Sequence, residues 1–214
     1  MFSRLVVRAA FEHTVRLDSD NATAWNHKGY AHTKLKEWNA AVDAFEHAVR
    51  LDKDDATAWS NKGAAHHRLK EWNAAVDAFE HAVRLDKDDA TAWYNKGVAH
   101  LRLKDWHAAL DACEHAVRLD PVNATAWSNK GTAHAKLKEW NAALDACERA
   151  VRLDPNLAFA WNGKGNAHFG LREKHKARTA YKEAIRFDPQ NPICWSNVGR
   201  LYQAPTVDGG FETP

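Results

Sequence analysis

The chain is poor in the residues that interrupt regular structure. Of 214 residues only 6 are proline and 10 glycine, so little of it is suited to long irregular loops. Cysteine occurs 3 times and methionine once, too few for a disulfide framework or a methionine-rich surface. No run approaches the ~18 consecutive apolar residues of a membrane-spanning helix. The first residues, MFSRLVVRAAFEH, lack the long apolar core and small-residue cleavage site of a secretory signal. Thirty basic and 28 acidic residues leave a net charge of +2, which argues against a strong nucleic-acid binder and against an acidic tail. No phosphate-binding glycine loop, HExxH helix or nucleophile motif is present, so catalysis is not expected.

What the chain does have is tryptophan at a fixed period. Trp25, Trp59, Trp93, Trp127, Trp161 and Trp195 stand 34 residues apart. A constant period of this length marks one supersecondary unit stacked on copies of itself. The copies are 22–55, 56–89, 90–123, 124–157 and 158–191. Residues 1–21 match only the second half of a unit, with FSRLVVRAAFEHTVRLD aligned on NAAVDAFEHAVRLD. Residues 192–203 restart a unit as a closing helix, and 204–214, with two prolines and two glycines, read as a flexible tail.

Each unit reads as two helices. In 56–89 the first follows Asp54-Asp55, whose carboxylates suit an N-cap, and carries Trp59, Gly63, Ala65 and Leu69 on its inner side. Asp154-Pro155-Asn156 is expected to cap the fifth unit in the same way. After a break at Leu69-Lys70-Glu71, Trp72–Leu85 places Ala75, Val76, Phe79, Ala82 and Val83 at helical spacing. Gly63, Ala75 and Ala82 have equivalents in every full unit, as close helix approach requires. Cys113 and Cys147 replace Phe45 and Phe79. One repeat apart, they are expected to exceed the ~7 Å Cα limit of a disulfide and to serve as small core residues. A reducing, cytoplasmic location follows as an expectation, with the sequons at Asn21 and Asn123 silent.

Trp–x3–Gly, then Ala75, Phe79 and Ala82, then Leu-Asp-Pro at 119–121 and 153–155 resemble the tetratricopeptide repeat over about residues 2–203. The resemblance implies an all-α helical-hairpin repeat solenoid: antiparallel pairs in a right-handed superhelix whose first helices line a concave groove. It also implies a non-enzymatic interaction scaffold that binds a peptide or partner segment there. This chain departs from the pattern by placing Lys28, Lys62, Lys96, Lys130 and Lys164 three residues after the Trp, where leucine is usual. His32, His66, His100, His134 and His168 stand where a large aromatic or leucine is usual.

Units 22–55 and 56–89 differ at only five places: Asn26/Ser60, His27/Asn61, Tyr30/Ala64, Thr33/His67 and Lys34/Arg68. Four of these, at +1, +5, +8 and +9 from the Trp, share one helix face. Free drift of a solvated surface is one reading. A ligand-facing wall is the other, favoured because the solvated face of the second helix barely changes between the same two copies. Recent duplication, or construction of a consensus-like array, would give the same near-identity.

The stripe has a chemistry. Its +9 cations, Lys34, Arg68, Arg102 and Lys136, would attract an acidic segment. Tyr94, Val98 and Leu101, with Phe159 and Phe169 further on, offer an apolar anchor site. Asn26 and Tyr30 begin the stripe, His67 lies within it, and Asn166 belongs to its fifth copy. By resemblance, Asn61, Asn95 and Asn129 at +2 bond the main chain of an extended peptide, as does Asn197. The family's clamp for chaperone C-terminal carboxylates needs Lys at +1 and is not matched. The partner expected is therefore a protein segment, acidic around an apolar anchor. No cofactor or membrane is implied, and nucleic-acid binding is a distant alternative. Self-association through repeat ends, where Leu5, Val6 and Phe11 lack a covering helix, is the second alternative. The histidine column, with ~10 Å expected between stacked helices, is too widely spaced to share one metal and reads as packing.

Overall fold

The computed structural model describes residues 2–203, with side chains for all but residues 2–5, 7, 8 and 203. The expected flexible tail and the side chain of Leu5 lie outside the described residues. The described residues form twelve α-helices and no strand. They divide into two compact units, Met1–Asp105 and Trp106–Pro214. In the first, α1 (Phe2–Leu17) precedes the hairpins α2 (Ala22–Leu35) with α3 (Trp38–Leu51) and α4 (Ala56–Leu69) with α5 (Trp72–Leu85), then α6 (Ala90–Leu103). In the second, α7 (Trp106–Leu119) precedes α8 (Ala124–Lys136) with α9 (Trp140–Leu153) and α10 (Ala158–Gly170) with α11 (Lys174–Phe187), then α12 (Pro192–Gln203). Within each unit consecutive helices pack on one another, the arrangement of a helical-hairpin solenoid.

The hairpins close because one residue in the first helix has no side chain. A Cβ on Gly63 would stand 2.8 Å from the Phe79 ring, and one on Gly29 2.6 Å from Phe45. Gly131 faces the Cys147 Sγ, which a Cβ would approach to 2.5 Å, and Gly165 faces Tyr181 in the same way. The aromatic or thiol therefore packs on bare backbone. Phe45, Phe79, Cys147 and Tyr181 are all fully buried, each of the large ones contributing roughly 1.5–3 kcal/mol. The alanine columns flank these contacts at 0–1 % exposure, as at Ala41, Ala75, Ala143 and Ala177. The three cysteines are free and buried. Burial pushes the Cys113 and Cys147 thiols up to about 12, so neither behaves as a nucleophile near neutrality.

Polar groups fix the two kinds of connection. Between repeats, each Trp indole N–H donates to the carbonyl six residues earlier: Trp59 to Lys53 at 3.0 Å, Trp161 to Pro155 at 2.8 Å. The same bond recurs at Trp25, Trp93, Trp127 and Trp195. The +3 lysine lies over that ring, at 5.3 Å for Lys62 on Trp59. It also reaches the preceding second helix, as in Lys96–Glu80 at 3.2 Å and Lys164–Glu148 at 3.0 Å. The lysine departure thus exchanges an apolar contact for a cation held between ring and carboxylate.

Within hairpins, the histidine column makes a clasp. His66 Nδ1–H donates to Glu71 Oε2 at 2.7 Å, while the Glu71 backbone N–H donates to the His66 carbonyl at 3.0 Å. His32–Glu37, His134–Glu139 and His168–Glu173 repeat it at 2.6–2.7 Å. His100 and Asp105 stand at 3.7 Å, since aspartate is one carbon shorter. The turn itself needs a left-handed residue, Lys70 at φ 63° and its equivalents, with the paired backbone bonds of a Schellman motif.

Asp55 is an N-cap as its sequence suits it to be, its side chain accepting from Ala58 N–H at 2.9 Å, and Asn21, Asp89 and Asn123 cap their helices in the same way. The fifth unit differs. Leu157 is its N-cap residue and provides no side-chain bond, so Asn156 falls one position short of the role expected of it. At the other end, Phe11 is not bare: its ring lies 5.2 Å from His27, whereas Val6 is 65 % exposed.

Gly63→Val, forced against Phe79, is expected to lower stability by about 1–3 kcal/mol. Gly199, which occupies the same repeat position in α12, has nothing among the described residues within 4 Å of its would-be Cβ. There Gly199→Ala should raise stability by about 0.5–1 kcal/mol. Urea midpoints of the two variants test this, and equal signs would refute the close-approach account.

Candidate functional site

The variable stripe is not one surface but a gradient of depth. At +9, Lys34, Arg68, Arg102 and Lys136 are exposed. At +5, Tyr30 is 51 % exposed, and Val98 and Asn166 are half-buried. At +8, His67, Leu101 and Phe169 are half-buried. At +1, Asn26 and Tyr94 are half-buried, Asn162 is buried, and Ser128 is completely enclosed. The helix turns its +1 position toward the neighbouring repeat, which leaves +5, +8 and +9 as the outward set.

The +1 and +2 positions are joined across repeats. Asn61 Nδ2 donates to Asn26 Oδ1 at 3.1 Å, and Asn26 Nδ2 donates to Asp55 Oδ2 at 3.3 Å. In the second unit Asn197 Nδ2 donates to Asn162 Oδ1 at 2.8 Å, a fully buried bond. The asparagine row therefore holds repeats together at these rungs. Asn95 is half-buried and Asn129 buried. Where the row is broken by Gly163, a Cβ would come within 2.7 Å of Cys147 Sγ. The Ser128 hydroxyl, which an asparagine there would serve, has no hydrogen-bond partner among the described residues.

The outward set has its own supports. Lys34 lies 4.5 Å over Tyr30, Arg68 5.4 Å over Trp38 and Lys136 5.6 Å over Trp106. Aromatic faces thus support these cations along the wall. Tyr94, Val98, Leu101 and Arg102 share α6 in the first unit. In the second, Asn166 Oδ1 accepts from Tyr181 OH at 2.9 Å and from Arg200 at 3.4 Å, and the Arg200 guanidinium lies 4.9 Å over Phe169. Arg200 escaped the sequence reading, although its place five residues after Trp195 makes it the sixth member of the +5 column.

The ladder predicts opposite responses at neighbouring rungs. Ser128→Ala removes a buried hydroxyl without a partner and should raise stability by about 0.5–1 kcal/mol. Asn162→Ala strands the buried Asn197 amide and should lower it by about 1–2 kcal/mol. Thermal or urea unfolding separates the two, and a loss on Ser128→Ala would contradict this arrangement.

Comparison with known proteins agrees with the geometry. Models of the tetratricopeptide repeat match residues 71–122, 124–157 and 158–191, and a TPR repeat model matches 29–70. Among solved structures, YrrB, described as a TPR protein with an unusual peptide-binding site, is similar at TM-score 0.77 and 22 % identity, covering 87 % of this chain and 96 % of that one. MamA 41-end from Desulfovibrio magneticus RS-1 is similar at 0.73 and 20 %, covering 79 % and 96 %. Pseudomonas aeruginosa pilF is similar at 0.70 and 20 %, covering 85 % and 83 %. A search of curated proteins finds no match. With hairpins, glycine contacts and 34-residue period all in place, the chain belongs to the tetratricopeptide repeat family.

Proposed function

We propose that this chain is a non-enzymatic scaffold whose first helices bind a segment of a partner protein, acidic around an apolar anchor. The observation that carries the reading is the outward set on α4 and α6. Arg68 and Arg102 are exposed beside half-buried Val98 and Leu101, with no carboxylate within 4.0 Å of either guanidinium among the described residues. Three lysines on the inner side of the first helices are matched, by contrast, as Lys96–Glu80, Lys130–Glu114 and Lys164–Glu148. Unmatched guanidiniums beside apolar side chains suit an interface centre, where arginine and aromatic anchors contribute most. The peptide-binding site named for YrrB supports the same use of the fold.

The double variant Arg68→Glu with Arg102→Glu should abolish capture of the partner segment. Its circular dichroism and melting temperature should stay close to wild type, since neither side chain is part of the core. Binding of the wild-type partner at unchanged affinity would refute the reading. Raised salt should weaken wild-type binding in the same assay, as screening requires of exposed charges.

A further inference from the structure

The first unit gathers positive charge around one imidazole. His67 sits near the end of α4, its ring edge-on to Trp72 at 5.0 Å. Its Nε2 is shielded from solvent and has no hydrogen-bond partner among the described residues. Burial, then Arg102, then Arg68 hold this imidazole below its ordinary pKa. Arg68 is propped on Trp38. Beside Trp72 lies an open depression of about 430 Å³ lined by Trp72, Ala74 and Leu103 together with Lys70, Glu71 and Asn73.

The charges around His67 are accounted for on each packed element. Its own helix supplies Arg68, and α6 supplies Arg102. On α5 the facing group is the uncharged Trp72, and the nearby Glu71 carboxylate is held by His66 at 2.7 Å. On the α2–α3 side, Lys34 lies over Tyr30 and Trp38 carries Arg68. Two guanidiniums thus act on one half-buried base, while the nearby Glu71 carboxylate is engaged by His66. An incoming anion would relieve this field.

Resting on the reading under Proposed function, we propose that this edge seats an aspartate or glutamate of the bound segment between Arg68 and Arg102. His67 takes up a proton as the carboxylate arrives, and an apolar neighbour of that residue rests on Trp72 and Leu103. A carboxylate forked by guanidiniums gains charge-assisted hydrogen bonds. It also cancels the cationic field on His67, so the imidazole binds a proton more readily in the complex than in the free protein. Linkage then makes binding tighter as pH falls through the histidine range, by tenfold for each unit that the imidazole pKa rises. The acidic side chain itself stays ionised down to about pH 5.

The test uses the full chain and a random displayed peptide library, selected at pH 5.5. Enriched peptides should pair aspartate or glutamate with a neighbouring aromatic or aliphatic residue. Titration calorimetry with one such peptide should show affinity roughly three- to tenfold weaker at pH 7.5 than at 5.5. It should also show fractional proton uptake across buffers of different ionisation heat. His67→Gln should remove the pH dependence while keeping affinity at pH 7.5 within about twofold. Arg68→Gln and Arg102→Gln should each weaken binding about tenfold or more. Acidic peptides whose affinity ignores pH, or keeps its pH dependence in His67→Gln, would overturn the proton-linked seat and leave the binding wall standing. Peptides that ignore Arg68→Gln and Arg102→Gln but are lost on Leu101→Asp would overturn the seat in the same way. Selection of no peptide at all would overturn both.

Discussion

The structure depends on a contact in which one partner has no side chain. Gly29, Gly63, Gly131 and Gly165 let Phe45, Phe79, Cys147 and Tyr181 lie directly on the first helix of the same hairpin. A larger residue at the glycine would push the helices apart and unseat every contact that relies on their spacing. The far side of the contact is less demanding, because phenylalanine, cysteine and tyrosine all occupy it. Tyr181 even carries a hydroxyl there, which Asn166 accepts at 2.9 Å. The backbone approach is the fixed quantity, and the group that fills the remaining space adjusts to it.

Once the hairpins are close, polar groups hold their order. The tryptophan N–H ties each inter-repeat loop, the histidine–glutamate clasp closes the turns after α2, α4, α8 and α10, and asparagine rungs join +1 to +2 at 26–61 and 162–197. These bonds occupy the inner and flanking sides of the first helices that carry them. What remains outward is +5, +8 and +9, and there the sequence places tyrosine, valine, leucine, phenylalanine and arginine. The positions free to vary are thus those the packing does not use, which is how one scaffold can present different chemistry repeat by repeat.

Much of this was readable in the sequence because the chain repeats itself. A 34-residue period exposes the glycine and alanine columns, and α5 runs from Trp72 to Leu85 as the spacing indicates. The clasp was not readable. His66 and Glu71 lie on either side of a turn, and helical spacing says nothing about side chains that meet across one. The asparagine rungs were hidden for a different reason: partners 35 residues apart look like equal members of a column, not donor and acceptor. For the same reason Asn26, Tyr94 and Ser128 read as part of an exposed stripe, although Ser128 is enclosed. Burial of +1 depends on how far the next repeat overlaps it, a quantity set by packing.

The central claim is that scaffold and recognition reside in different positions of the same helix. It is tested most directly by rewriting α4 with the outward set of α2: Ala64→Tyr, His67→Thr and Arg68→Lys in one chain. The urea midpoint of this variant should correspond to a stability within about 0.5 kcal/mol of wild type, while its affinity for a segment selected on the wild-type chain should fall at least about tenfold. Loss of several kcal/mol of stability with binding retained would show that these positions serve the fold and that recognition lies elsewhere.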